Sequence, residues 1–360
     1  MQGDGIGPEI VNSAIDVIDL LKDRFNLNIE LIYSEIGFSS LKSQGTTFPD
    51  AVLEICKKSD GIILGPIDHN NYPPEKDGGF NPSALIRTHL DLFTNIRPAR
   101  TYFNIKSTVD FMDLIIVREN TEGFYSDRNM YIGNGEFLPE PGIGIAIRKI
   151  TEKGSKRIAM RAFEIASNLK KNKSKVNLHA IHKANVLKLT DGIFLNACRE
   201  VSNSYPEINY CEMIVDAATA HLVRDPSQFD VIVTTNMFGD ILSDLASELS
   251  GSLGLAGSIN VGETIPMAQA QHGSAPDIAG KGIANPVSII LSVGMMFGWL
   301  GIRKKNDAFV KINYCLQKTI EEYLSENQNL TPDLNGTSTT KEATNTILSK
   351  LELIFQENNL

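Results

Sequence analysis

The fold prediction starts from residues 231–244, Val-Ile-Val-Thr-Thr-Asn-Met-Phe-Gly-Asp-Ile-Leu-Ser-Asp, in which an apolar run precedes a glycine and a helix-like segment. The run at residues 231–233 is typical of a buried strand, as are the runs at residues 61–64 and 114–117. Apolar residues at helical spacing predict a helix over residues 8–25, with a proline tolerated in its first turn. Because strands alternate with helices along the chain, the pattern predicts an α/β architecture.

Four further segments have interpretable patterns. Residues 28–36 alternate between polar and apolar side chains, which predicts a strand, and residues 50–58 predict a short helix. Residues 130–141 are rich in glycine, proline and aromatic side chains and predict an arm or hairpin that projects from the body. The four glycines of residues 250–262 indicate a loop that lies close to a ligand or in a tight packing contact.

The composition is that of an ordinary soluble globular protein. The chain has 360 residues, of which 42% are hydrophobic and 21% charged, and its 34 basic and 43 acidic side chains leave a net charge of −9. The length predicts about two domains. The negative charge argues against a nucleic-acid partner, which needs a basic face, but a local arginine cluster can still bind an anionic small molecule.

Cysteine usage and hydropathy predict a cytoplasmic protein with no membrane partner. No apolar run reaches about 18 residues, which argues against a transmembrane helix. The start of the chain lacks the apolar stretch of a signal peptide. The cysteines form no CxxC pair and are interpreted as reduced thiols rather than as disulfides or zinc ligands; they are Cys56, Cys198, Cys211 and Cys315.

Two aspartates suggest a metal site. Asp240 and Asp244 are four residues apart, a spacing that places both carboxylates on one face of a helix. Neighbouring carboxylates repel each other unless a positive charge holds them, and oxygen ligands of this kind suit Mg²⁺ or Mn²⁺. The alternative is a helix N-terminus that favours negative charge without any ligand.

Three arginines fall within a short span and suggest an anionic substrate. Arg87 and Arg97 flank nine residues, and Arg118 directly follows the apolar run at residues 114–117. The guanidinium group binds carboxylates with two parallel hydrogen bonds, so three converging arginines would hold a di- or tricarboxylate. Tyr125 follows Arg118 closely and is a candidate for the same site.

Further candidates depend on their neighbours. Lys183 follows an apolar stretch, and a desolvated lysine beside other cations can act as a base. Asp216 is another acid that follows apolar residues. The loop of residues 272–286 is small and polar and can surround an adenosine, with Asp277 accepting hydrogen bonds from ribose hydroxyls. The glycine-rich residues 3–8 lack a preceding strand, so a cofactor-adjacent loop and a plain turn are equally open.

Taken in order, these motifs resemble the β-decarboxylating dehydrogenases, which include isocitrate, homoisocitrate, 3-isopropylmalate and tartrate/D-malate dehydrogenases. The resemblance runs almost from end to end of the chain. It rests on Gly3-Asp-Gly-Ile-Gly-Pro-Glu9, Asn95-Ile-Arg-Pro98, Val117-Arg-Glu-Asn-Thr-Glu-Gly123, Lys183-Ala-Asn185, Gly239-Asp-Ile-Leu-Ser-Asp244, residues 272–277 and Thr331-Pro-Asp-Leu334.

The resemblance implies a two-domain α/β fold with a mixed sheet that is not a Rossmann fold. Residues 1–92 and 251–360 would form a large domain that carries the cofactor loop. Residues 93–250 would form a small domain with the dimer interface and an arm near residues 125–150. The active sites would be shared between the two subunits of a homodimer, and higher oligomers stay open.

The resemblance also implies a role for each candidate. Arg87, Arg97 and Arg118 would bind the malate part of the substrate, and Ser83 would contact its C3 substituent. Tyr125 and the partner subunit's Lys183 would be the catalytic acid and base. Asp240 and Asp244, with Asp216 of the partner subunit, would bind Mg²⁺ or Mn²⁺. NAD would be held by His272, Gly273, Ser274, Ala275, Asp277 and Asn285, and Asp277 favours NAD over NADP because NADP-dependent relatives carry a lysine there.

The sequence departs from the family pattern in three places. The strand expected before the first glycine motif is absent, and whether the natural chain begins upstream of Met1 stays open. Gln269 stands where relatives usually have a glutamate, and residues 68–79, like the tyrosine-rich stretch near Tyr131, match no assigned feature.

The substrate prediction comes from the turn before Arg87. Asn81 and Ser83 are the two residue types that isocitrate enzymes use there, but in exchanged positions. A polar lining favours a polar C3 substituent such as that of isocitrate, because an alkyl group would leave hydrogen-bonding groups unsatisfied. 3-Isopropylmalate, homoisocitrate and tartrate or D-malate stay open. The rival classes are a non-catalytic regulatory subunit and a Rossmann-type 2-hydroxy-acid dehydrogenase that needs no metal.

Overall fold

The computed structural model describes residues 1–125, 130 and 135–358 and confirms the α/β prediction. Eight strands form one mixed sheet in the order β1-β10-β9-β2-β3-β8-β6-β7, and β4 and β5 form a separate antiparallel pair. The strands are β1 Ile62–Leu64, β2 Thr94–Arg100, β3 Asp113–Glu119, β4 Glu136–Glu140, β5 Ile143–Ala146, β6 Asn177–His182, β7 Asn209–Ile214, β8 Val231–Thr234, β9 Ile259–Val261 and β10 Pro266–Gln269.

Helices cover the sheet and confirm the helical predictions for residues 8–25 and 50–58. The first of them has Pro8 in its first turn and buries the stripe formed by the apolar positions of the pattern. The helices are α1 Gly7–Phe25, α2 Gly37–Gln44, α3 Asp50–Lys58, α4 Pro82–His89, α5 Glu152–Lys170, α6 Thr190–Ser202, α7 Val215–Arg224, α8 Asn236–Ser250, α9 Val287–Lys304, α10 Asp307–Glu326 and α11 Thr340–Glu357.

The strand predicted for residues 28–36 is wrong. The structure has no regular element there, and Ile32 and Tyr33 are 56% and 64% exposed. The segment does not pair with any strand of the eight-stranded sheet. Alternation alone therefore does not make a strand, because a strand also needs a neighbour for its backbone hydrogen bonds.

The predicted hairpin is present where the structure describes it. β4 pairs with β5 in antiparallel register, and both strands are exposed along their length, including Phe137 and Leu138. The stretch around Tyr131 lies outside the described residues. An isolated two-stranded pair is marginally stable in water, so this pair needs a further surface against which to pack.

The buried side chains of the described residues fall into separate clusters. Two clusters of buried side chains draw on residues 6–92 and 255–355, with Ile96 as the exception. Two others lie within residues 99–249. The boundaries at residues 92 and 250 are compatible with this division and stay a prediction.

α9 qualifies as a membrane span by length and composition, contrary to the sequence prediction that no segment does. Its 18 residues have a mean hydropathy of 1.3, but 72% of them are buried in the protein. It packs against α10 and contributes Ile289, Ile290 and Val293 to the core. This is how the core helix of a soluble protein appears.

Candidate active site

Four neighbouring strands point their carboxyl ends at one edge of the sheet. β3, β8, β6 and β7 are parallel and adjacent in that order. Arg118 lies near the end of β3, Asp240 on the helix after β8, Lys183 directly after β6 and Asp216 at the start of the helix after β7. Ligands of open α/β sheets bind at this edge.

A cleft of about 270 Å³ opens here. A larger groove of about 470 Å³ lies against α5 and α9 and contains no predicted site residue. The smaller cleft is lined by eight of them, namely Ser83, Arg87, Arg97, Arg118, Tyr125, Asp240, His272 and Gly273.

Asp240 and Asp244 lie one turn apart on α8, and both contact Arg97. Nη1 of Arg97 donates to Asp240 Oδ1 (3.3 Å), to Asp244 Oδ1 (3.2 Å) and to Ser243 Oγ (2.7 Å). Arg97 belongs to β2, where only 7% of the residue is exposed. β2 thus positions the guanidinium of Arg97 next to the carboxylates of Asp240 and Asp244.

Arg118 lies flat against the first turn of α8. Its Nε and Nη2 donate to Asn236 Oδ1 (3.1 and 2.7 Å), and its Nη1 pairs with Asp240. A Cβ atom at Gly239 would lie only 2.6 Å from Arg118 Cγ. Gly239 is therefore the residue that lets the arginine approach the helix. Tyr125 completes the group, since its hydroxyl donates to Asp240 Oδ2 (3.4 Å) and its ring lies 5.9 Å from the Arg118 guanidinium.

The electrostatics of this end of the cleft favour a charged carboxylate. Burial acts to raise the pKa of Asp240, but the positive charges of Arg118, Arg97 and Arg87 together outweigh it, so the pKa lies below its ordinary value. Burial, with the neighbouring charge of Arg118, lowers the pKa of Arg97 to about 10. At neutral pH Asp240 and Arg97 are therefore both charged.

The opposite end of the cleft is lined by polar side chains and by Arg87. Gln269, the last residue of β10, accepts hydrogen bonds through Oε1 from Ser83 Oγ (3.0 Å) and from Arg87 Nη2 (3.2 Å). Arg87 also donates to Asn120 Oδ1 (3.3 Å). Asn81 caps the N-terminus of α4 by accepting from Ala84 N. The position at which relatives usually have a glutamate thus contacts the predicted substrate-binding helix.

The predicted cofactor loop packs against the first glycine motif. Ser274 O accepts from Ile6 N (2.9 Å), and a Cβ atom at Gly5, whose φ is +57°, would lie 1.9 Å from the same oxygen. Of the two interpretations left open for residues 3–8, this contact favours the cofactor-adjacent loop. Ala275 has a φ of +40°, and Gly273 and Asp277 are exposed.

Two other members of this loop have defined partners. His272 Nδ1 lies 3.0 Å from Gly273 O, and burial lowers the pKa of His272. Asn285 Nδ2 donates to Asp333 Oδ2 (2.9 Å), so the loop is also attached to the short helical turn Pro332–Leu334.

Residues 68–79, which match no assigned family feature, are anchored on Asp4. The Asp4 carboxylate accepts from Phe38 N (2.8 Å), from Asp68 N (3.1 Å) and from the Tyr72 hydroxyl. The rings of Phe38 and Tyr72 meet edge to face at 5.0 Å. The glycine motif therefore holds this segment beside the cleft, which His69 helps to line.

Lys183 and Asp216 lie on the same edge of the sheet but do not line the cleft. Lys183 Nζ pairs with Asp216 Oδ1 at 2.5 Å, and this hydrogen bond lowers the pKa of the aspartate. The fully buried Asp191 accepts from the Lys183 backbone N–H (2.5 Å) and pairs with Arg148. Because strands are about 4.8 Å apart, β6 and β7 place this pair two and three strands away from Arg118.

Within the described residues, the cleft offers two neighbouring carboxylates to a metal ion. Within residues 1–125, 130 and 135–358, no three histidine, cysteine, aspartate or glutamate side chains come together in a way that could hold an ion. Asp240 and Asp244 supply carboxylate oxygens at the cleft, which fits Mg²⁺ or Mn²⁺. The expectation that Asp216 of the partner subunit adds a third carboxylate stays a prediction.

The sequence prediction missed Asn236, Ser243 and Gln271. Asn236 binds Arg118, Ser243 binds Arg97, and Gln271 Nε2 donates to Asp244 Oδ1 (3.0 Å). Spacing could have revealed the first, because Asn236 stands one helical turn before Asp240. No local signal identifies Gln271, since its contact depends on the packing of a distant loop on α8.

Comparison with known proteins shows which class this fold and cleft define. The crystal structure of isocitrate dehydrogenase from Methylococcus capsulatus superimposes with a TM-score of 0.84 at 35% identity, covering 97% of both chains. The chain therefore has the mixed-sheet fold of that dehydrogenase rather than a Rossmann fold.

The chain belongs to the isocitrate/isopropylmalate dehydrogenase family, because the sequence model of that family matches residues 1–347. It is 40% identical over 340 residues to the 3-isopropylmalate dehydrogenase of Saccharolobus solfataricus, covering 94% of this chain and 95% of the relative. It is also 40% identical over 360 residues to the homoisocitrate dehydrogenase of Methanocaldococcus jannaschii, covering 97% and 96%. The protein is an oxidoreductase of this family.

Proposed function

We propose that the protein catalyses the NAD⁺-dependent, metal-dependent oxidative decarboxylation of a 3-substituted (2R)-malate. The observation that carries the proposal is the meeting of Arg97 and Arg118 with Asp240 and Asp244 at one end of a cleft that Arg87 lines at the other. A hydroxy diacid needs cations for its carboxylates and a hard metal ion for its hydroxyl oxygen.

The arginines bind and orient the substrate. Each presents a planar fork of N–H donors, which suits two-point binding of a carboxylate. In the structure, Arg97 and Arg118 pair with the aspartates of α8. A divalent ion would neutralise those aspartates and release part of the arginines' hydrogen-bonding capacity for the substrate.

Asp240 and Asp244 would hold Mg²⁺ or Mn²⁺ together with Asp216 of the partner subunit. When bound, the ion supplies Lewis-acid chemistry that withdraws electron density from oxygen ligands while carbon dioxide is lost. Asp240 is ready for this role because its pKa is lowered by the arginines and the carboxylate is ionised at neutral pH.

Tyr125 and Lys183 divide the proton transfers. The hydroxyl of Tyr125 reaches Asp240, so it lies where a proton can be delivered to the substrate carbon after decarboxylation. The partner subunit's Lys183 would accept the proton of the C2 hydroxyl as hydride leaves for NAD⁺. A positioned acid or base contributes about 10²–10⁴-fold.

The loop of residues 272–285 would hold the cofactor, which supplies the hydride acceptor. Asp277 is an exposed residue of this loop. It can accept hydrogen bonds from ribose hydroxyls and would repel a 2′-phosphate. We therefore propose NAD rather than NADP. A cytoplasmic homodimer whose small domains and β4–β5 arms form the interface belongs to the same proposal.

Two observations bear on the C3 substituent. Most of the similar relatives are named 3-isopropylmalate dehydrogenases, which supports that substrate better than isocitrate. The cleft lining near α4 is polar, with His69, Asn81 and Ser83, and this favours a polar substituent. Relatives with homoisocitrate in their names keep both classes open.

A substrate panel tests the proposal. Isocitrate, homoisocitrate, 3-isopropylmalate, D-malate and tartrate are each incubated with Mn²⁺ and NAD⁺ or NADP⁺, and reduced nicotinamide and carbon dioxide are measured together. We expect equal amounts of both products with NAD⁺, loss of activity with EDTA and recovery with Mn²⁺. Reduction without carbon dioxide, or activity that survives chelation, would contradict the proposal and favour a metal-independent dehydrogenase.

A regulatory subunit is the less favoured alternative. The chain retains Tyr125, Lys183 and both aspartates of α8, and the structure places three of these four at or beside the cleft. Turnover by the purified chain alone would exclude this alternative.

A further inference from the structure

The backbone of Lys183 is held by hydrogen bonds on both sides of the residue. Its N–H donates to Asp191 Oδ2 (2.5 Å), and its carbonyl accepts from Val186 N (3.0 Å) and Leu187 N (2.8 Å). Asp191 N donates in turn to Leu187 O (3.0 Å), so the segment that follows β6 is closed on itself. Because the side chain of a lysine is a flexible four-carbon stem, the position of this backbone decides which places its Nζ can reach.

Asp191 is fully buried, and Arg148 balances its charge. The side chain of Arg148 is only 7% exposed, and its Nη1 lies 2.5 Å from Asp191 Oδ1. The same nitrogen donates to Thr190 Oγ1 (2.6 Å). A buried ion pair adds little stability compared with apolar residues of the same size, because both charges lose their hydration. It does fix the geometry, since either charge alone would be left buried and uncompensated.

The guanidinium of Arg148 also contacts the elements that carry the other predicted site residues. Its Nη2 donates to the hydroxyl of Thr235, the residue before α8 (3.1 Å). Its Cζ lies 5.6 Å from the ring centroid of Phe238 on α8 and 5.8 Å from that of Phe124, which precedes the predicted catalytic tyrosine. One arginine thus connects the segment of Lys183 with α8 and with the residues after β3.

We propose that Arg148 and Asp191 are positioning residues that determine where Lys183 lies relative to α8. This inference rests on the proposed function, in which Lys183 of one subunit accepts a proton in the site of the other. Neither residue is among the described residues that line the cleft, so both act through other groups. Asp191 acts on the segment of Lys183, whereas Arg148 acts on that segment and on α8 of its own chain.

The first test is kinetic and uses Asp191→Asn, which removes the charge and keeps an oxygen that can accept from the Lys183 N–H. With NAD⁺, Mn²⁺ and whichever of isocitrate and 3-isopropylmalate the wild type oxidises faster, we expect kcat to fall about tenfold or more at an almost unaltered KM. The reason is that a misplaced base slows proton transfer without weakening substrate binding. In a Lys183→Ala background, Asp191→Asn should lower kcat no further.

Asp307→Asn is the matched control for this substitution. Asp307 is the acid in the first turn of α10, as Asp191 is in the first turn of α6, but it is exposed. Both variants therefore lose the same favourable interaction with a helix N-terminus. Asp307→Asn should leave kcat and KM unaltered.

Mixed dimers show through which residue Asp191 acts. Refolded in equal amounts with Asp240→Asn, the Asp191→Asn chain should recover about a quarter of the wild-type activity, because one site of each mixed dimer has both an intact Asp240 and a well-placed Lys183. With Lys183→Ala it should show no recovery, because every site then has an absent or a misplaced lysine. Arg148→Met, which loses contacts on both sides, should recover with neither chain.

Three results would overturn the inference: recovery of Asp191→Asn with Lys183→Ala, an undiminished loss of kcat in the Lys183→Ala background, and a kcat that stays unaltered in Asp191→Asn. Circular dichroism and size-exclusion chromatography check folding. If Asp191→Asn does not fold, Thr190→Val removes a single acceptor of Arg148 and should lower kcat several-fold at constant KM; an unaltered kcat then overturns the inference. No turnover by the wild type, or no recovery between Lys183→Ala and Asp240→Asn, would instead contradict the proposed function.

Discussion

Arg118 can lie close to α8 because residue 239 is a glycine and has no Cβ atom. Gly239 has no side chain, and the aliphatic part of Arg118 occupies the place where a Cβ atom would stand. This lets the guanidinium reach Asn236 and Asp240 together. The glycine is therefore part of the site although it offers no functional group.

Replacing Gly239 by alanine tests this fit. The added Cβ, 2.6 Å from Arg118 Cγ, should displace the arginine, cost about 1–3 kcal/mol of stability and raise the substrate KM by roughly tenfold. Steady-state kinetics and urea unfolding measure the two effects. Gly192→Ala on α6 is the matched control, since nothing lies within 4 Å of its Cβ and alanine favours the helix. Similar effects of the two substitutions would contradict this account.

Among the elements, β3 carries a buried acid next to Arg118. Glu119 is the last residue of the strand and is 4% exposed. Its carboxylate accepts from Thr121 N (3.0 Å), Thr121 Oγ1 (2.7 Å) and Glu122 N (2.7 Å). Burial outweighs these hydrogen bonds and raises the pKa of Glu119 to about 7.

This raised pKa predicts a pH-dependent stability. Glu119 holds its proton more tightly in the folded protein than in the unfolded chain. Its contribution to the free energy of unfolding is therefore complete below about pH 4.5 and is lost as the pH rises through about 7. The shift corresponds to about 3 kcal/mol. Urea unfolding from pH 4.5 to 8 should show this loss in the wild type and much less of it in Glu119→Gln. The exposed Glu352→Gln on α11 should follow the wild type, and identical pH profiles for all three proteins would refute the assignment.

Helices α1 and α3 and strands β1, β3 and β8 were predicted from local pattern, whereas residues 28–36 show the limit of such predictions. α1 buries the stripe that its 3.6-residue period indicates. β3 and β8 are apolar runs buried on both faces, as expected for parallel strands. Residues 28–36 have the period of a strand but no neighbouring strand to pair with. Whether a sheet edge lies close enough for pairing cannot be read from a local stretch of sequence.

At the scale of the whole molecule, the separation of Lys183 and Asp216 from the cleft predicts a shared active site. Within one chain the two residues pair with each other, while Asp240 and Arg118 line the cleft. In a two-fold symmetric dimer each chain can complete the site of its partner.

Subunit mixing tests this arrangement. Lys183→Ala and Asp240→Asn homodimers should each be nearly inactive. After joint refolding in equal amounts, about half of the dimers are mixed, and each mixed dimer contains one intact site out of two. Total activity should therefore recover to about a quarter of the wild-type value. A site built within one chain predicts no recovery. Mixing each variant with itself is the control, and size-exclusion chromatography checks that dimers form.

The sequence by itself determined the α/β class, the one-turn spacing of Asp240 and Asp244 and the presence of three arginines, because these follow from local periodicity and residue chemistry. Tertiary structure alone decided which of them meet. Ser83 and Gln269 are 186 residues apart in the sequence and share a hydrogen bond. Lys183 and Arg118, by contrast, lie at the ends of β6 and β3 in the same sheet but pair with different aspartates, Asp216 and Asp240. The reason is that strand order and helix packing depend on the burial of apolar surface over the whole chain, which no local pattern contains.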